Sequence, residues 1–246
     1  MEASHISAWK PLAAVAMLSF CLCGCTLSTW WWQDMDAGKN AYENHDFNKA
    51  EAYFKKACED QDMQAQDLRN HAESLKRLGD TYLAQQKLDE AVPAYCKALK
   101  VMYKVSGSNS LAVGNAMQGL GETFLKKNMY EDADDCLARA LLIKQKMLGA
   151  NDPEYASLLT DIGKLCMMQQ DYDGCEKNLQ QALAIYERSG GRHIDDRLAV
   201  LQALHELYEV HDDPVKLTEV EHQMNGLSTT RGKEALPSGP LLSGGK

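Results

Sequence analysis

Apolar residues along this chain return in two alternating helical patterns, and the pair of patterns itself repeats every 42 residues. In residues 110–149, Leu111, Met117, Leu120, Phe124 and Leu125 keep the spacing of one helix face. Tyr130, Ala133, Leu137, Ala140, Leu141 and Met147 keep that of a second. The break between them, Lys126-Lys127-Asn128, is polar, and Asn128 is placed to cap the second helix. The unit is therefore a helix, a short turn and an antiparallel helix. Its period shows in whole columns: Gly79, Gly121 and Gly163; Gly107, Gly149 and Gly191; Ala98, Ala140 and Ala182. Leu78, Leu120, Ile162 and Leu204 form another column, as do Tyr82, Phe124, Cys166 and Tyr208. Gly121 and Ala133 are small enough for two helix backbones to approach closely, with Phe124 and Leu137 filling the adjoining space. Such units cannot bury their apolar faces alone and must stack.

Two weaker units flank these. Ala37-Gly38, Ala41, Ala50, Phe54 and Ala57 outline a first unit of shorter helices. Leu201, Leu204-His205, Tyr208 and Leu217 outline a fifth, with Asp213-Pro214 as N-cap and first-turn pair. Terminal units of a stack are atypical because one face meets water. Pro93 falls early in the second helix of its unit, where it is tolerated with a slight kink.

The columns carry a resemblance to tetratricopeptide repeats. The signature of a large residue, Leu-Gly, an aromatic, Ala, an aromatic or Leu, and Ala is matched by Leu75, Leu78-Gly79, Tyr82, Ala91, Tyr95 and Ala98. The next unit gives Met117, Leu120-Gly121, Phe124, Ala133, Leu137 and Ala140, and the one after gives Leu159, Ile162-Gly163, Cys166, Cys175, Leu179 and Ala182. The family's usual period is about 34 residues. The longer form here, and the junction Leu148-Gly149-Ala150-Asn151-Asp152-Pro153, resemble the kinesin light chain subclass. The resemblance implies an all-α, right-handed superhelical solenoid of about five antiparallel helix pairs over residues 33–226.

The first residues read as targeting rather than fold. Lys10 precedes an apolar run from Pro11 to Gly24, too short for an ordinary spanning helix. The run ends Leu22-Cys23-Gly24-Cys25, which resembles a bacterial lipobox. That implies a signal peptide over 1–24, lipidation of Cys25, a linker over 25–32 and a membrane-anchored lipoprotein of the cell envelope facing the periplasm or exterior. Thr26 after the cysteine favours the outer membrane in the Gram-negative families it resembles. A rival reading joins residues 11–32, ending Trp30-Trp31-Trp32, into an uncleaved single-pass signal anchor, since tryptophans favour membrane interfaces. A buried core helix is the bland alternative. Residues 227–246, rich in Gly, Ser and Pro, read as a disordered tail.

The net charge of −9, with no basic stripe, argues against nucleic-acid binding. Of eight cysteines, Cys21, Cys23 and Cys25 belong to the targeting segment. Cys58, Cys96, Cys136, Cys166 and Cys175 have no CxxC spacing and read as reduced, buried thiols, with a Cys166–Cys175 bridge as an open alternative. No phosphate loop, nucleophile elbow or clustered metal ligands stand out, because Gly119-Leu120-Gly121 lies inside a helix rather than after a strand. Neither catalysis, a cofactor nor a metal is expected.

The resemblance places the first helix of each unit on a concave face that binds peptides. Carried onto this chain, the groove is lined by Lys76, Asp80 and Leu83, by Gln118, Glu122 and Leu125, and by Thr160, Lys164 and Met167. Asn115, Ser157, Asp161 and Met168 share that face. Leu83, Leu125 and Met167 occupy one motif position and are expected to form an exposed apolar strip. A Lys and Asn clamp for C-terminal carboxylates, known among relatives, is not reproduced, since Asp80 and Glu122 stand where Asn is expected. The expected function is a non-catalytic scaffold binding peptide or helix segments of other proteins. The alternatives are an accessory subunit of an envelope enzyme and a self-associating array.

Overall fold

The computed structural model describes residues 31–59, 65–190 and 193–234. Its elements are α-helices: α1 (31–43), α2 (Phe47–Glu59), α3 (Ala65–Ala84), α4 (Leu88–Ser106) and α5 (Leu111–Lys126), then α6 (Tyr130–Leu148), α7 (Pro153–Met168), α8 (Tyr172–Arg188), α9 (Ile194–Val210) and α10 (Pro214–Glu234). They pair in chain order into five hairpins, the all-α helical-repeat solenoid that the 42-residue period predicts. The chain divides into two compact units, one ending at Val105 and built on α1 to α4, the other beginning at Ser106 and built on α5 to α10.

The glycine column sets how closely the helices of a hairpin approach. A Cβ at Gly121 would sit 2.7 Å from Leu137 Cδ2, and one at Gly163 would sit 2.8 Å from Leu179 Cδ2. Gly79 faces Tyr95 and Gly38 faces Phe54 in the same way. Each glycine thus receives the large side chain of its partner helix. Leu137, Leu179, Tyr95 and Phe54 are all almost completely buried.

The turns inside the hairpins share a geometry that the apolar pattern does not reveal. His45, Gln86, Asn128, Gln170 and Asp212 all take positive φ, between 51° and 63°. In each turn the following N–H reaches back across the helix end, as in Met129 N to Phe124 O at 2.9 Å and Asp171 N to Cys166 O at 2.9 Å. The left-handed residue itself donates to the carbonyl three positions earlier, as Asn128 does to Leu125 at 3.0 Å. This is the Schellman closure, in which one left-handed residue lets two orphan carbonyls be satisfied. Asn128 is therefore a turn residue and not the predicted N-cap; Met129 stands there and makes no side-chain cap bond. Side-chain caps do start α5, with Ser110, α7, with Asp152 followed by Pro153, and α8, with Asp171. Of the second glycine column, Gly107 and Gly149 take positive φ as turn residues, with Gly190 doing the same. Gly191 lies outside the described residues.

Neighbouring hairpins are also tied by charge. Lys55 and Lys87 both donate to Glu51, at 2.7 and 2.8 Å, and Lys216 and Tyr208 donate to Glu176 at 2.6 and 2.9 Å. Burial raises the Glu51 carboxyl, but the bonds from Lys55 and Lys87 outweigh it and hold the group at about 2.

Several sequence expectations are corrected. Trp31, placed before the predicted repeat boundary at 33, belongs to α1: it is 8% exposed and its indole N–H donates to Ser74 Oγ at 2.8 Å, so it packs into the first unit. Helix α10 runs on to Glu234, past the predicted boundary at 226. There Leu227 packs on the core, and the Ser228 and Thr229 hydroxyls donate to carbonyls of the preceding turn. Cysteine burial is uneven. Cys136 and Cys175 are buried, Cys58 and Cys166 half-buried and Cys96 exposed, and among the described residues none of the five forms a disulfide. Cys25 lies outside the described residues.

Candidate functional site

In the second unit, α7 packs against α5 on one side and α9 on the other, so the first helices of successive hairpins form a single layer. Between α5 and α7 that layer holds a polar cluster in place of an apolar seam. Lys144, reaching in from α6, donates through Nζ to Gln118 Oε1 at 2.7 Å. Gln118 Nε2 in turn donates to Asp161 Oδ2 at 2.6 Å and to Ser157 Oγ at 3.2 Å. The amide is thus fixed with its oxygen toward an ammonium and its nitrogen toward a carboxylate, and both ends are used.

Both charged ends are buried. Lys144 is 3% exposed, with the Glu154 carboxylate 3.5 Å away and the Glu154 carbonyl at the same distance. Asp161 is 7% exposed. Burial pushes its carboxyl up to about 6, and Glu122 adds to this. Lys164, the Gln118 bond and Lys144 offset only part of the rise. Burial also raises the Tyr186 phenol of α8, with Asp196 and Asp161 adding to the effect and a bond with Ser157 opposing it. One turn before Gln118, the buried Oδ1 of Asn115 has no hydrogen-bond partner.

The predicted groove residues fall into three kinds. Gln118 belongs to this cluster; Glu122 and Lys164 act on it by charge, and Glu122 also pairs with Lys126 at 3.3 Å. Leu125 and Met167 are half-buried, and Met168 is 49% exposed. The rest are tied into the fold. Thr160 is buried, with its hydroxyl donating to the Ala156 carbonyl. In the first unit, Lys76 pairs with Asp80 at 2.8 Å, and Asp80 also accepts from Tyr95 OH at 2.8 Å. Leu83 is only 7% exposed and lies among the core residues, so it does not extend an exposed strip.

Lys144 was missed because it lies on a second helix, outside the motif's groove positions. A signal for it exists: Met102, Lys144 and Tyr186 form one 42-residue column, all three are buried, and the lysine is the charged exception.

Comparison with known proteins supports the fold. Residues 70–146 match the tetratricopeptide repeat family. BtubC (BKLC) from P. vanneervenii superimposes with a TM-score of 0.68 at 19% identity, over 90% of this chain and 97% of that one. The nearly identical TPR-like repeats of a kinesin light chain from Podosopora anserina give 0.63 at 17% identity, over 82% and 95%. A Rap protein in complex with competence and sporulation factor gives 0.69 at 16% identity, over 81% of this chain and 54% of that one. The chain therefore spans about half the length of the Rap protein. No curated protein matches the chain in sequence.

Proposed function

We propose that this protein is a non-catalytic scaffold, held at the cell envelope by its N-terminus, that binds peptide segments of partner proteins on the face formed by its first helices. The observation that carries the reading is the α5–α7 cluster. The buried Asp161 carboxylate there is raised by burial, and one turn before Gln118 on α5 the buried Asn115 Oδ1 has no hydrogen-bond partner. Strongly perturbed groups in such a place are candidates for binding rather than packing. The half-buried Leu125 and Met167 and the exposed Met168 supply adaptable apolar contact on the same helices. The Rap protein of similar fold, which is complexed with competence and sporulation factor, is consistent with ligand binding by such arrays.

A photo-crosslinking residue at Met167 of the intact membrane-anchored chain tests the groove. Capture of a partner there, and not from Leu142 on the exposed face of α6, supports it; the reverse pattern moves binding to the other face. The envelope anchor rests on Leu22-Cys23-Gly24-Cys25. Cys25→Ala should block acylation and accumulate precursor, and retention of residues 1–24 in mature wild-type protein would rule the lipoprotein out in favour of the signal anchor.

A further inference from the structure

We propose that the open side of the α9–α10 hairpin docks a basic amphipathic helix of a partner protein, packed where a further hairpin of the array would stack. This surface is distinct from the first-helix groove proposed above, and its test is independent of that reading.

The 42-residue columns identify the surface. Gln118 of α5 reaches forward to Ser157 and Asp161 of α7. Leu141 of α6 packs on the core built from α7 to α10, and Leu183 of α8 shares a wall with Leu201 and Leu204 of α9. In the α9–α10 hairpin the same columns give Gln202 and Asn225, and both are exposed. Among the described residues no helix follows α10 to cover them. With His205, Glu221 and Met224 they line an open cavity of about 560 Å³.

The close approach that locks the earlier hairpins is also changed here. Gly121 and Gly163 receive Leu137 and Leu179, but the same two columns give His205 and Glu221 in this hairpin. His205 Nε2 stands 3.5 Å from Glu221 Oε1, and its Nδ1 stands 3.7 Å from Glu209 Oε2. Both carboxylates are more than half exposed, so the half-buried imidazole gathers a pair of them at the cavity. Glu209 continues the column of Leu125 and Met167, and the exposed Glu206 lies within a turn of both Gln202 and Glu209. No lysine or arginine lines the cavity. Met224, half-buried, continues the column of the buried Ala140 and Ala182 and enlarges its apolar surface at the open side.

These features select the occupant. A helix fits because the surface is the stacking position of a helical array, and an apolar stripe at i, i+3 and i+4 would meet the adaptable Met224 side chain. Lysines or arginines beside that stripe would pair with Glu209 and Glu221, which chiefly sets the choice and orientation of the partner. A second copy of this chain carries the same charge of −9 and is repelled, whereas basic segments are steered toward it.

The test uses the full chain and a fluorescent synthetic helix of four turns, with a leucine stripe flanked by lysines. A counterpart carries glutamates in place of the lysines. Fluorescence anisotropy should show the lysine helix binding and the glutamate helix failing to bind. With a photo-crosslinking residue at Asn225, the lysine helix should be captured, and from Leu142 on α6 it should not. Glu209→Gln with Glu221→Gln removes two carboxylates that lie largely in water, so circular dichroism should stay native while affinity falls about tenfold. Glu131→Gln with Asp132→Asn, on the exposed start of α6, removes as much charge elsewhere and should leave affinity within about twofold. An equal loss in the two double variants, capture from Leu142 alone, tighter binding of the glutamate helix, or no binding of either helix would each overturn the proposal. So would chain-to-chain crosslinking from Asn225 in place of the lysine helix, which would make a second copy the occupant. The first-helix groove stands or falls separately on crosslinking from Met167.

Discussion

Replacing Asp161 with asparagine should make this protein more stable at neutral pH, although it removes a charge from a hydrogen-bonded cluster. The Asp161 carboxyl titrates at about 6 in the fold against an ordinary 3.8. Burial is the main cause, and the Gln118 bond and the two lysines recover only part of the loss. At about 1.4 kcal/mol per pH unit, the difference corresponds to about 3 kcal/mol by which ionised Asp161 opposes folding. Because the folded value is raised, the folded state holds the proton more tightly than the unfolded chain. The stabilising contribution of the protonated group is complete below about pH 4 and is lost as pH rises through 6. Asparagine cannot ionise, and its oxygen still accepts from Gln118. Asp161→Asn should therefore gain about 1 kcal/mol at pH 4.5 and about 3 kcal/mol above pH 7 relative to wild type. For a helical array of this size that is a rise of roughly 6–12 °C in Tm at pH 7.5, shrinking to a few degrees at pH 4.5. Thermal melts followed by circular dichroism across that range measure it directly. A variant less stable than wild type at pH 7.5, or a difference independent of pH, would refute the reasoning and make Asp161 an ordinary member of a stabilising ion cluster. A more stable variant that binds less well is the pattern expected where a site was kept for function at the expense of the fold.

Glu51 predicts the opposite pH dependence. Held at about 2 by Lys55 and Lys87, it stabilises the first unit above pH 4.5 and loses that contribution as pH falls toward 2. Because both lysines are about half exposed, Glu51→Gln should cost only about 1–2 kcal/mol at pH 7, read from urea melts, and almost nothing at pH 2. Gly121→Ala should destabilise by about 1–3 kcal/mol, since the added Cβ would lie 2.7 Å from Leu137 Cδ2; a neutral result in the same melts would mean the α5–α6 pair can open freely. Thiol labelling followed by mass spectrometry should find Cys96 first and Cys136 and Cys175 only on unfolding. Burial removes access to both and pushes the Cys175 thiol up to about 12.

The sequence by itself determined the periodic part of this protein. The glycine columns specify where two helices touch, because Gly121 and Gly163 leave room only for the side chains that fill them. The Leu, aromatic and Ala columns specify which faces are buried, since helical spacing leaves one apolar stripe per helix. The resemblance carried by those columns implied the fold and the face proposed to bind a ligand. The tertiary structure alone decided what departs from the period. Leu83 and Met167 share a motif position, yet one is core and the other half-buried. Trp31, which the rival signal-anchor reading groups with Trp30 and Trp32, turns its indole onto Ser74 across 43 residues of chain. Asn128 has the side chain of a cap but adopts the left-handed turn instead. The α5–α7 cluster joins residues 118, 144, 154, 157 and 161, drawn from three helices. Its character comes from a 2.6 Å bond and the exclusion of water around Asp161. Local pattern fixes which residues face inward, but a carboxylate's charge state depends on every group around it. Those groups meet only when the hairpins stack.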